Sequence, residues 1–179
     1  TQRRDSCIYI QYSLPMRRAD RAKAEKGRGA VTNPAGRFEG TQLEATDDGW
    51  GSLDELQRRA ETVVAADVPR HAITRNRSPD VPFDQSVNPY QGCEHGCIYC
   101  FARPSHSYWN LGPGLDFETR IFHKPGLAKL LDQELSAPGY VCKPINLGAN
   151  TDPYQPAERE HRTTRGLLEV LLAHRHPVT

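Results

Sequence analysis

The sequence predicts an α/β fold in which parallel strands alternate with helices. Two observations support this class: strand and helix signals alternate from about residue 86 onwards, and the helical stretches carry leucines at helical spacing. Strands that alternate with helices in this way form parallel sheets with right-handed crossovers. We therefore expect a parallel sheet that is covered by helices.

The predicted elements follow in chain order. QSVNPY (residues 85–90) is a short strand, and PGLAKLLDQELS (125–136) is a helix because its leucines share one stripe. VCKPINLGA (141–149) supplies a second strand, RTTRGLLEVLLAHR (162–175) a second helix, and HPVT (176–179) the start of a third strand. Two such units cannot close a barrel. We therefore expect the barrel to be incomplete in this chain and further chain to follow.

The part before residue 86 has a different character. Residues 1–40 carry nine basic and four acidic side chains with few large apolar residues, which predicts a flexible basic arm or an extended wrap over another surface. In residues 41–85 we expect a short helix around SLDELQRRAETVV (52–64), followed by an extended linker that prolines interrupt. Residues 86–179 are predicted to form the core domain.

The composition limits the function classes. With 23 basic and 22 acidic side chains, no field of the whole chain attracts nucleic acid or an anionic membrane. No apolar run reaches the roughly 18 residues that a membrane span requires, and we expect no signal peptide. Five cysteines, three of them within eight residues, do not suit a disulfide framework. We expect a cytoplasmic protein, not associated with membranes, whose reduced thiols bind a metal.

The most informative segment is NPYQGCEHGCIYCFARPSHSYW, which starts at residue 88. Cys93, Cys97 and Cys100 have the spacing CxxxCxxC, and soft thiolates at this spacing suit an iron-sulfur cluster or zinc. Three thiolates in one loop, with glycines that let the backbone fold around a cofactor, suit a 4Fe-4S cluster whose fourth iron stays open for a cosubstrate. A simple electron carrier would have a fourth cysteine nearby.

Zinc is the alternative metal. A structural zinc site requires four protein ligands, and zinc-ribbon cysteines come as two separated pairs, whereas this loop has three cysteines. His95, His106 or Cys142 would have to complete the site, and none lies at a characteristic spacing. The corresponding function is a nucleic-acid-binding module without catalysis, stabilised by zinc or a cluster, that uses the basic arm.

The cysteine segment resembles that of the radical S-adenosylmethionine (AdoMet) superfamily, because the aromatic Tyr99 precedes the last cysteine and the segment follows the first strand. The strings GRGAVTNPAGRFE, NPYQGCEHGCIYCFARPSH, GLDFETRIFHKPG and NTDPYQPAE are similar to a bacterial subgroup labelled DNA-repair-photolyase-like, relatives of spore photoproduct lyase. The resemblance runs from about residue 27 to the end of the sequence. It implies the N-terminal half of a partial (β/α)6 TIM-type barrel and a lyase-like or photolyase-like enzyme. The alternative is that this chain, as only a part of such an enzyme, is inactive by itself.

The resemblance also implies roles for residues. Cys93, Cys97 and Cys100 would each bind one iron, the fourth iron would bind AdoMet, and the backbone of Tyr99 would lie near the adenine. The reduced cluster would cleave AdoMet to methionine and a 5'-deoxyadenosyl radical, which takes a hydrogen atom from the substrate. The implied partners are a one-electron reductant of flavodoxin or ferredoxin type and a nucleic-acid substrate.

A second group of cofactor contacts is implied after the second strand. There Asn150, Thr151 and Asp152 would contact the methionyl part of AdoMet, in the place of the usual Gly-Gly-Glu of the superfamily. The alternative for these residues is an Asp-Pro turn that caps the following helix.

Other side chains near the cysteines have two interpretations each. For His95 we expect an exposed position or a hydrogen bond to a cluster sulfur. Arg103 would pair with the cluster or with the AdoMet carboxylate, or lie on the surface. His106, Tyr108 and Trp109 would line a substrate pocket, stack on a base, or form a structural aromatic clamp.

Overall fold

The computed structural model describes residues 28–38 and 61–179. Within these residues the strands form two three-stranded sheets. In chain order the strands are β1 (Val63–Ala66), β2 (Thr74–Arg75), β3 (Gln85–Val87), β4 (Tyr90–Gln91), β5 (Arg120–His123) and β6 (Ile145–Leu147).

The first sheet has the order β1-β5-β4. β1 is parallel to β5, with Val63 opposite Arg120, and β4 is antiparallel to β5, with Tyr90 opposite His123. Ile121 and Tyr90 are fully buried and form a small cluster with Ala157. The first cysteine, Cys93, therefore comes two residues after the end of β4 in this sheet.

The second sheet has the order β2-β3-β6. β2 is antiparallel to β3, whereas β3 and β6 are parallel, with Val87 opposite Leu147. Val178 forms a parallel bridge with Ile145, and the backbone of Thr179 exchanges two hydrogen bonds of 2.9 Å with Ile145 and Leu147. A further parallel strand thus begins at the place where the sequence predicts one.

The helices connect the parallel strands. They are a 3-10 helix (Arg103–Trp109), α1 (Leu115–Thr119), α2 (Leu127–Leu135), α3 (Glu158–His161) and α4 (Thr163–Ala173). α2 lies on the path from β3 to β6, and α4 lies on the path from β6 to Val178. Both correspond to helices predicted from leucine spacing, and each completes a β-α-β unit.

Helix α4 begins with a cap that a side chain from α3 provides. Arg162 has a φ of 49°, which breaks the chain between the two helices. The carboxylate of Glu158 then accepts hydrogen bonds of 2.9 Å from the N–H groups of Thr164 and Arg165. A negative charge at the first turn also interacts favourably with the helix dipole.

The largest apolar core joins the second sheet to α2 and α4. Leucines spaced by four residues face this core, so each helix buries one stripe. Burying a leucine fully contributes about 1.5 to 3 kcal/mol through the hydrophobic effect. The buried members are Ala72, Ile73, Val87, Leu127, Leu131, Leu135, Ile145, Leu167 and Leu171.

The first sheet departs from the sequence-based expectation. Val63 and Val64 lie within the stretch predicted to be helical, but they form part of β1. The β-branched side chains favour extended backbone, and β5 offers a parallel partner 57 positions later in the chain. The remainder of that predicted helix, residues 52–60, lies outside the described residues.

Residues 28–38, which we call the strap, lie on the core as an extended segment. Arg28 donates to Thr62 Oγ1 at 2.8 Å, and the carbonyl oxygen of Thr32 accepts a hydrogen bond of 3.3 Å from Leu115 N. The backbone N–H of Arg37 donates to Ser107 Oγ at 3.1 Å. This part of the basic segment is therefore an extended wrap, while residues 1–27 lie outside the described residues.

The described part of the chain is a mixed α/β structure with two β-α-β connections. The (β/α)6 barrel stays a prediction, because the described strands form two separate three-stranded sheets. The longest helix among the described residues has 11 residues, and none of these helices is long and apolar enough to cross a bilayer.

Two adjacent leucines of α4 provide a test of this packing. Leu171 is 2% exposed and Leu172 is 77% exposed. We expect Leu171→Ala to lower the free energy of unfolding by about 2 to 5 kcal/mol, because it leaves a cavity in the core. Leu172→Ala should change it by less than about 0.5 kcal/mol. Urea unfolding of both variants measures the difference, and equal effects would contradict the orientation of α4.

Candidate functional site

Residues 92–102, the cysteine loop, connect β4 to the 3-10 helix through a series of turns. The loop starts at Gly92, whose φ of 77° is a backbone conformation that favours glycine. A Cβ at this position would also lie only 3.0 Å from the carbonyl oxygen of Arg120. The N–H of Cys93 donates to Phe117 O at 2.9 Å. Backbone contacts with α1 and β5 thus determine where the first cysteine lies.

The three cysteines differ in exposure. Cys93 is buried in a cluster with Ala102 and Phe117, and the partly buried Cys100 packs against the same cluster. Cys97 is exposed, although a turn with a 3.2 Å hydrogen bond from Cys100 N to its carbonyl keeps the two residues close in the backbone. The fold therefore brings two of the three thiols together.

Among residues 28–38 and 61–179, no three His, Cys, Asp or Glu side chains converge into a group that could hold a metal ion. The residues of the loop nevertheless fit an iron-sulfur cluster in their chemistry, since three soft thiols on one short loop are the donors that such clusters use. Because the side chain of Cys97 is exposed, it can change rotamer without displacing core atoms.

Burial raises the pKa of the Cys93 thiol above its ordinary value. Hydrogen bonds from the backbone N–H groups of His95 and Asp152 oppose this shift but do not cancel it. The folded protein therefore holds Cys93 as a neutral thiol at neutral pH, and metal binding must release its proton.

Residues 148–155, the β6 loop, lie beside the cysteine loop. Asn150 donates from its backbone to Asn88 Oδ1 at 2.8 Å and from Nδ2 to Ser105 Oγ at 3.1 Å. The buried hydroxyl of Thr151 donates to the carbonyl of Tyr90 at 2.9 Å. Two of the predicted AdoMet-binding residues are thus already hydrogen-bonded to the strand ends that precede the cysteines.

Asp152 takes part in one interaction that the sequence suggested, a turn, and in one that it did not, a contact with His95. Its Oδ1 accepts a hydrogen bond of 2.7 Å from Tyr154 N, which forms the expected turn around Pro153. Its Oδ2 lies 3.3 Å from Nε2 of His95 in the cysteine loop. Asp152 therefore links the two loops at an exposed position.

Tyr99 lies at the most exposed part of the cysteine loop. Ile98, Tyr99 and Phe101 form what we call the apolar patch, with exposed fractions of 74%, 86% and 81%. Adjacent apolar side chains this exposed indicate a surface that binds something. The position predicted to lie near the adenine of a cofactor is accessible from solvent.

Two expectations for neighbouring residues are corrected. Arg103 does not lie on the surface: its side chain is 10% exposed and pairs with Glu118 at 2.5 Å. His106 does not line an open pocket, because it is fully buried and its Nε2 lies 3.0 Å from Arg120 O. Its ring contacts Phe117 edge-on at 5.4 Å, so the structural interpretation holds for this residue.

Tyr108 and Trp109 have different environments. Tyr108 is largely exposed and contacts Phe38 of the strap at 5.6 Å between ring centroids. Trp109 stacks on Phe122 of β5, with a centroid distance of 4.5 Å and an angle of 18°. Trp109 therefore fixes the 3-10 helix to the first sheet, whereas Tyr108 remains accessible beside the strap.

Two residues of the site have no signal in the sequence. Gln155 is buried, donates to Gly92 O at 3.1 Å and accepts a 3.4 Å hydrogen bond from Glu94 N, which joins the β6 loop to the cysteine loop. Glu118 is buried beside the cysteine loop and pairs with Arg103. Glutamine and glutamate at these places are ordinary residues in a sequence, and only the tertiary contacts distinguish them.

Comparison with known proteins gives relatives without an assigned activity. Proteins of Mycobacterium tuberculosis and Mycobacterium bovis are each 42% identical to this chain over 99 residues, which are 55% of the chain and 29% of each relative. A protein of Methanocaldococcus jannaschii is 26% identical over 83 residues, which are 46% of the chain and 29% of that protein. All three are described as uncharacterized. The chain thus spans less than a third of the curated relatives that it matches.

No family model matches the chain, and no solved structure matches it.

Because His106 is buried, we expect the free energy of unfolding to depend on pH. Burial lowers its pKa from 6.5, and Nε2 must carry the proton because Arg120 O only accepts. As the pH falls below about 6.5, the unfolded chain takes up a proton that the folded protein resists, so the free energy of unfolding falls. We expect His106→Gln to reduce this dependence, as measured by urea unfolding at several pH values.

The control is His71→Gln, because the side chain of His71 is 82% exposed. This variant should keep the pH dependence of the wild type. An unchanged dependence in His106→Gln would show that other groups cause it.

Proposed function

We propose that this chain is part of a radical AdoMet enzyme whose cysteine loop holds a 4Fe-4S cluster. The observation that carries the proposal is the CxxxCxxC loop, which follows β4 a few residues after the carboxyl end of β3 and is hydrogen-bonded through Gln155 to the loop that follows the parallel strand β6. In α/β proteins ligands bind outside the carboxyl ends of parallel strands. The cysteine loop at this edge therefore lies where a cofactor site is expected.

Cys93, Cys97 and Cys100 would hold three irons of the cluster. A cluster held by these thiols would supply the electron for reductive cleavage of AdoMet, and the external reductant would restore that electron. Cys93 would contribute a fixed thiol at the buried side of the loop, because its N–H is bonded to Phe117 O and its side chain packs on Phe117. Cys97 would contribute an accessible thiol.

AdoMet would lie between the cysteine loop and the β6 loop. Asn150 is the strongest candidate for a polar contact, because its side-chain amide lies between Gln91 at the end of β4 and Ser105 in the 3-10 helix, and donates to both. Asp152 is a candidate for the amino group of AdoMet, since its exposed carboxylate lies beside the cysteine loop. The backbone of Tyr99 would contact the adenine, and the buried Thr151 would hold the β6 loop in place through Tyr90 O.

The substrate and the reductant are extensions of the proposal. A nucleic-acid substrate and a reductant of flavodoxin or ferredoxin type rest on the sequence resemblance alone. The apolar patch is the surface that supports contact with a larger partner, because three large side chains are exposed next to the thiols.

Substitution of two exposed cysteines, Cys97 and Cys142, tests whether the cysteine loop binds a cluster. We expect the full chain, reconstituted anaerobically with iron and sulfide, to take up about four irons and about four sulfides. Cys97→Ala should lose most of this iron, because one corner of the cluster has no thiolate. Cys142→Ala should retain it, since Cys142 is equally exposed but lies outside the loop. Iron and acid-labile sulfide analysis, with the electron paramagnetic resonance spectrum of the reduced protein, measures both.

Release of 5'-deoxyadenosine from AdoMet after reduction is the second measurement. It should occur with the wild type and with Cys142→Ala and be lost with Cys97→Ala. Uptake of zinc in place of iron and sulfide would exclude the proposal and favour a metal-stabilised binding module. Equal iron content in the two variants would show that the loop does not hold the cluster.

A further inference from the structure

Glu118 adjoins the cysteine loop but is not one of the cluster or cofactor ligands proposed above. It lies near the end of α1, and its side chain is 0% exposed. A buried carboxylate is unfavourable unless charged or hydrogen-bonding partners surround it. The partners of Glu118 therefore indicate what its burial achieves.

The carboxylate of Glu118 joins three donors from two parts of the chain. Oε1 accepts from Arg103 Nη2 at 2.5 Å and from the backbone N–H of Ala30 at 2.9 Å. Oε2 accepts from the N–H of Gly29 at 3.0 Å, and the backbone carbonyl of Glu118 accepts from Arg28 Nη1 at 2.9 Å. One residue thus binds three consecutive residues of the strap and the first residue of the 3-10 helix.

Arg103 extends these contacts into the cysteine loop. Its Nε donates to the carbonyl oxygen of Cys97 at 3.0 Å. Its Nη1 donates to Pro113 O and Gly114 O at 3.2 and 3.1 Å. The rigid guanidinium therefore fixes the backbone of the middle cysteine relative to Glu118 and the segment before α1.

The strap touches the same loop directly. A Cβ on Gly29 would lie 1.7 Å from Gly96 O, so the two backbones approach more closely than any side chain allows. A Cβ on Gly96 would lie 3.0 Å from Oε2 of Glu118 and from Gly29 N. Glycine at both positions thus lets the strap, the loop and the carboxylate meet.

We infer that Glu118 is a positioning residue of the cysteine loop: through Arg103 it holds the backbone of Cys97, and through Gly29 and Ala30 it holds the strap against that loop. The consequence for a cluster rests on the proposed function, whereas the restraint on the loop does not. Replacing a buried ion pair by an apolar pair of similar volume often leaves the stability of a core unchanged or raises it. The charged pair instead gives hydrogen bonds of fixed direction, from Arg103 to Glu118 and to the carbonyl oxygen of Cys97.

The test compares two glutamate variants of the full chain. In Glu118→Gln one acceptor oxygen is replaced by an NH2 group that faces other donors. Glu134→Gln is the matched control, because the carboxylate of Glu134 also accepts from two consecutive N–H groups, those of Ala72 and Ile73, at 2.8 and 2.9 Å. In the chain without cofactor, we expect Glu118→Gln to accelerate hydrogen exchange at residues 29–30 and in the cysteine loop by roughly tenfold. Glu134→Gln should leave exchange there unchanged.

The second measurement uses the reconstituted protein. We expect Glu118→Gln to change the electron paramagnetic resonance spectrum of the reduced cluster and to lose iron to a chelator several times faster, whereas Glu134→Gln resembles the wild type. A residue that contributed only to global stability would leave the spectrum unchanged. If the wild type takes up no cluster, the proposed function fails, and hydrogen exchange still decides the inference.

Gly29→Ala covers the case in which Glu118→Gln does not fold. It displaces the strap from Gly96 and leaves the pair of Arg103 and Glu118 intact, so we expect faster exchange at residues 29–30 and in the cysteine loop. Exchange in Glu118→Gln equal to that of the wild type overturns the inference. Faster exchange at residues 29–30 and in the cysteine loop of Glu134→Gln also overturns it, and so does an unchanged electron paramagnetic resonance spectrum of cluster-loaded Glu118→Gln. If Glu118→Gln is unfolded, unchanged exchange in Gly29→Ala overturns the inference.

Discussion

The parallel pairing of β3 with β6 is the constraint on which the candidate site depends. Val87 is fully buried opposite Leu147, and the N–H of Gly148 donates to Val87 O at 2.9 Å directly after the pair. A slip of one residue would turn Val87 away from the core, so the core fixes the register. Because the strands are parallel, the chain leaves the sheet at the same edge after each of them. Asn88 and the β6 loop therefore lie side by side, with the N–H of Asn150 donating to Asn88 Oδ1 at 2.8 Å, and the cysteine loop follows after the short strand β4.

Side chains and single backbone hydrogen bonds hold these two loops, since neither loop has a regular ladder of its own. Gln155 bonds to the backbone at Gly92 and Glu94, and Thr151 bonds to Tyr90 O. These groups are buried, where an unpaired polar atom would be unfavourable by about 1 to 3 kcal/mol. Each bond therefore selects one arrangement of the loops and penalises the others. These bonds thereby hold the irregular backbone of the two loops in the single conformation that a binding site requires.

Local patterns predicted the strands β3 and β6 and the helices α2 and α4, and non-local contacts account for what was missed. The leucine stripes of residues 127–135 and 163–173 and the strands at 85–87 and 145–147 can be recognised within short windows of sequence. The pairing of Val63–Ala66 with Arg120–His123 joins segments 57 positions apart, and a window that contains Val63 also has helical periodicity. Such pairing is decided by the fold as a whole.

The candidate site likewise contains residues that the sequence identifies and residues that only tertiary contacts identify. Cysteine spacing identified the loop, because metal ligands require particular residue types at short intervals. Glu118 carries no such mark, since its partners Gly29, Ala30 and Arg103 come from separate parts of the chain. Arg103 was recognised as a charge near the cysteines, but its burial against Glu118 depends on how α1 packs. Sequence therefore specifies what could bind a metal, and tertiary structure specifies what holds those groups still.

The cysteine loop combines a restrained part with an accessible part, and the proposed binding of a cluster and AdoMet would require both. Gly96 and the carbonyl of Cys97 are held by the strap and by Arg103, whereas the side chains of Cys97, Tyr99 and Phe101 are exposed. Exposed apolar surface is unfavourable by about 25 cal/mol per Å². Covering the apolar patch with another surface would therefore lower the free energy of the system. A cluster at this position would keep its thiolates fixed by the buried contacts and would meet its cosubstrate or partner at the exposed ones.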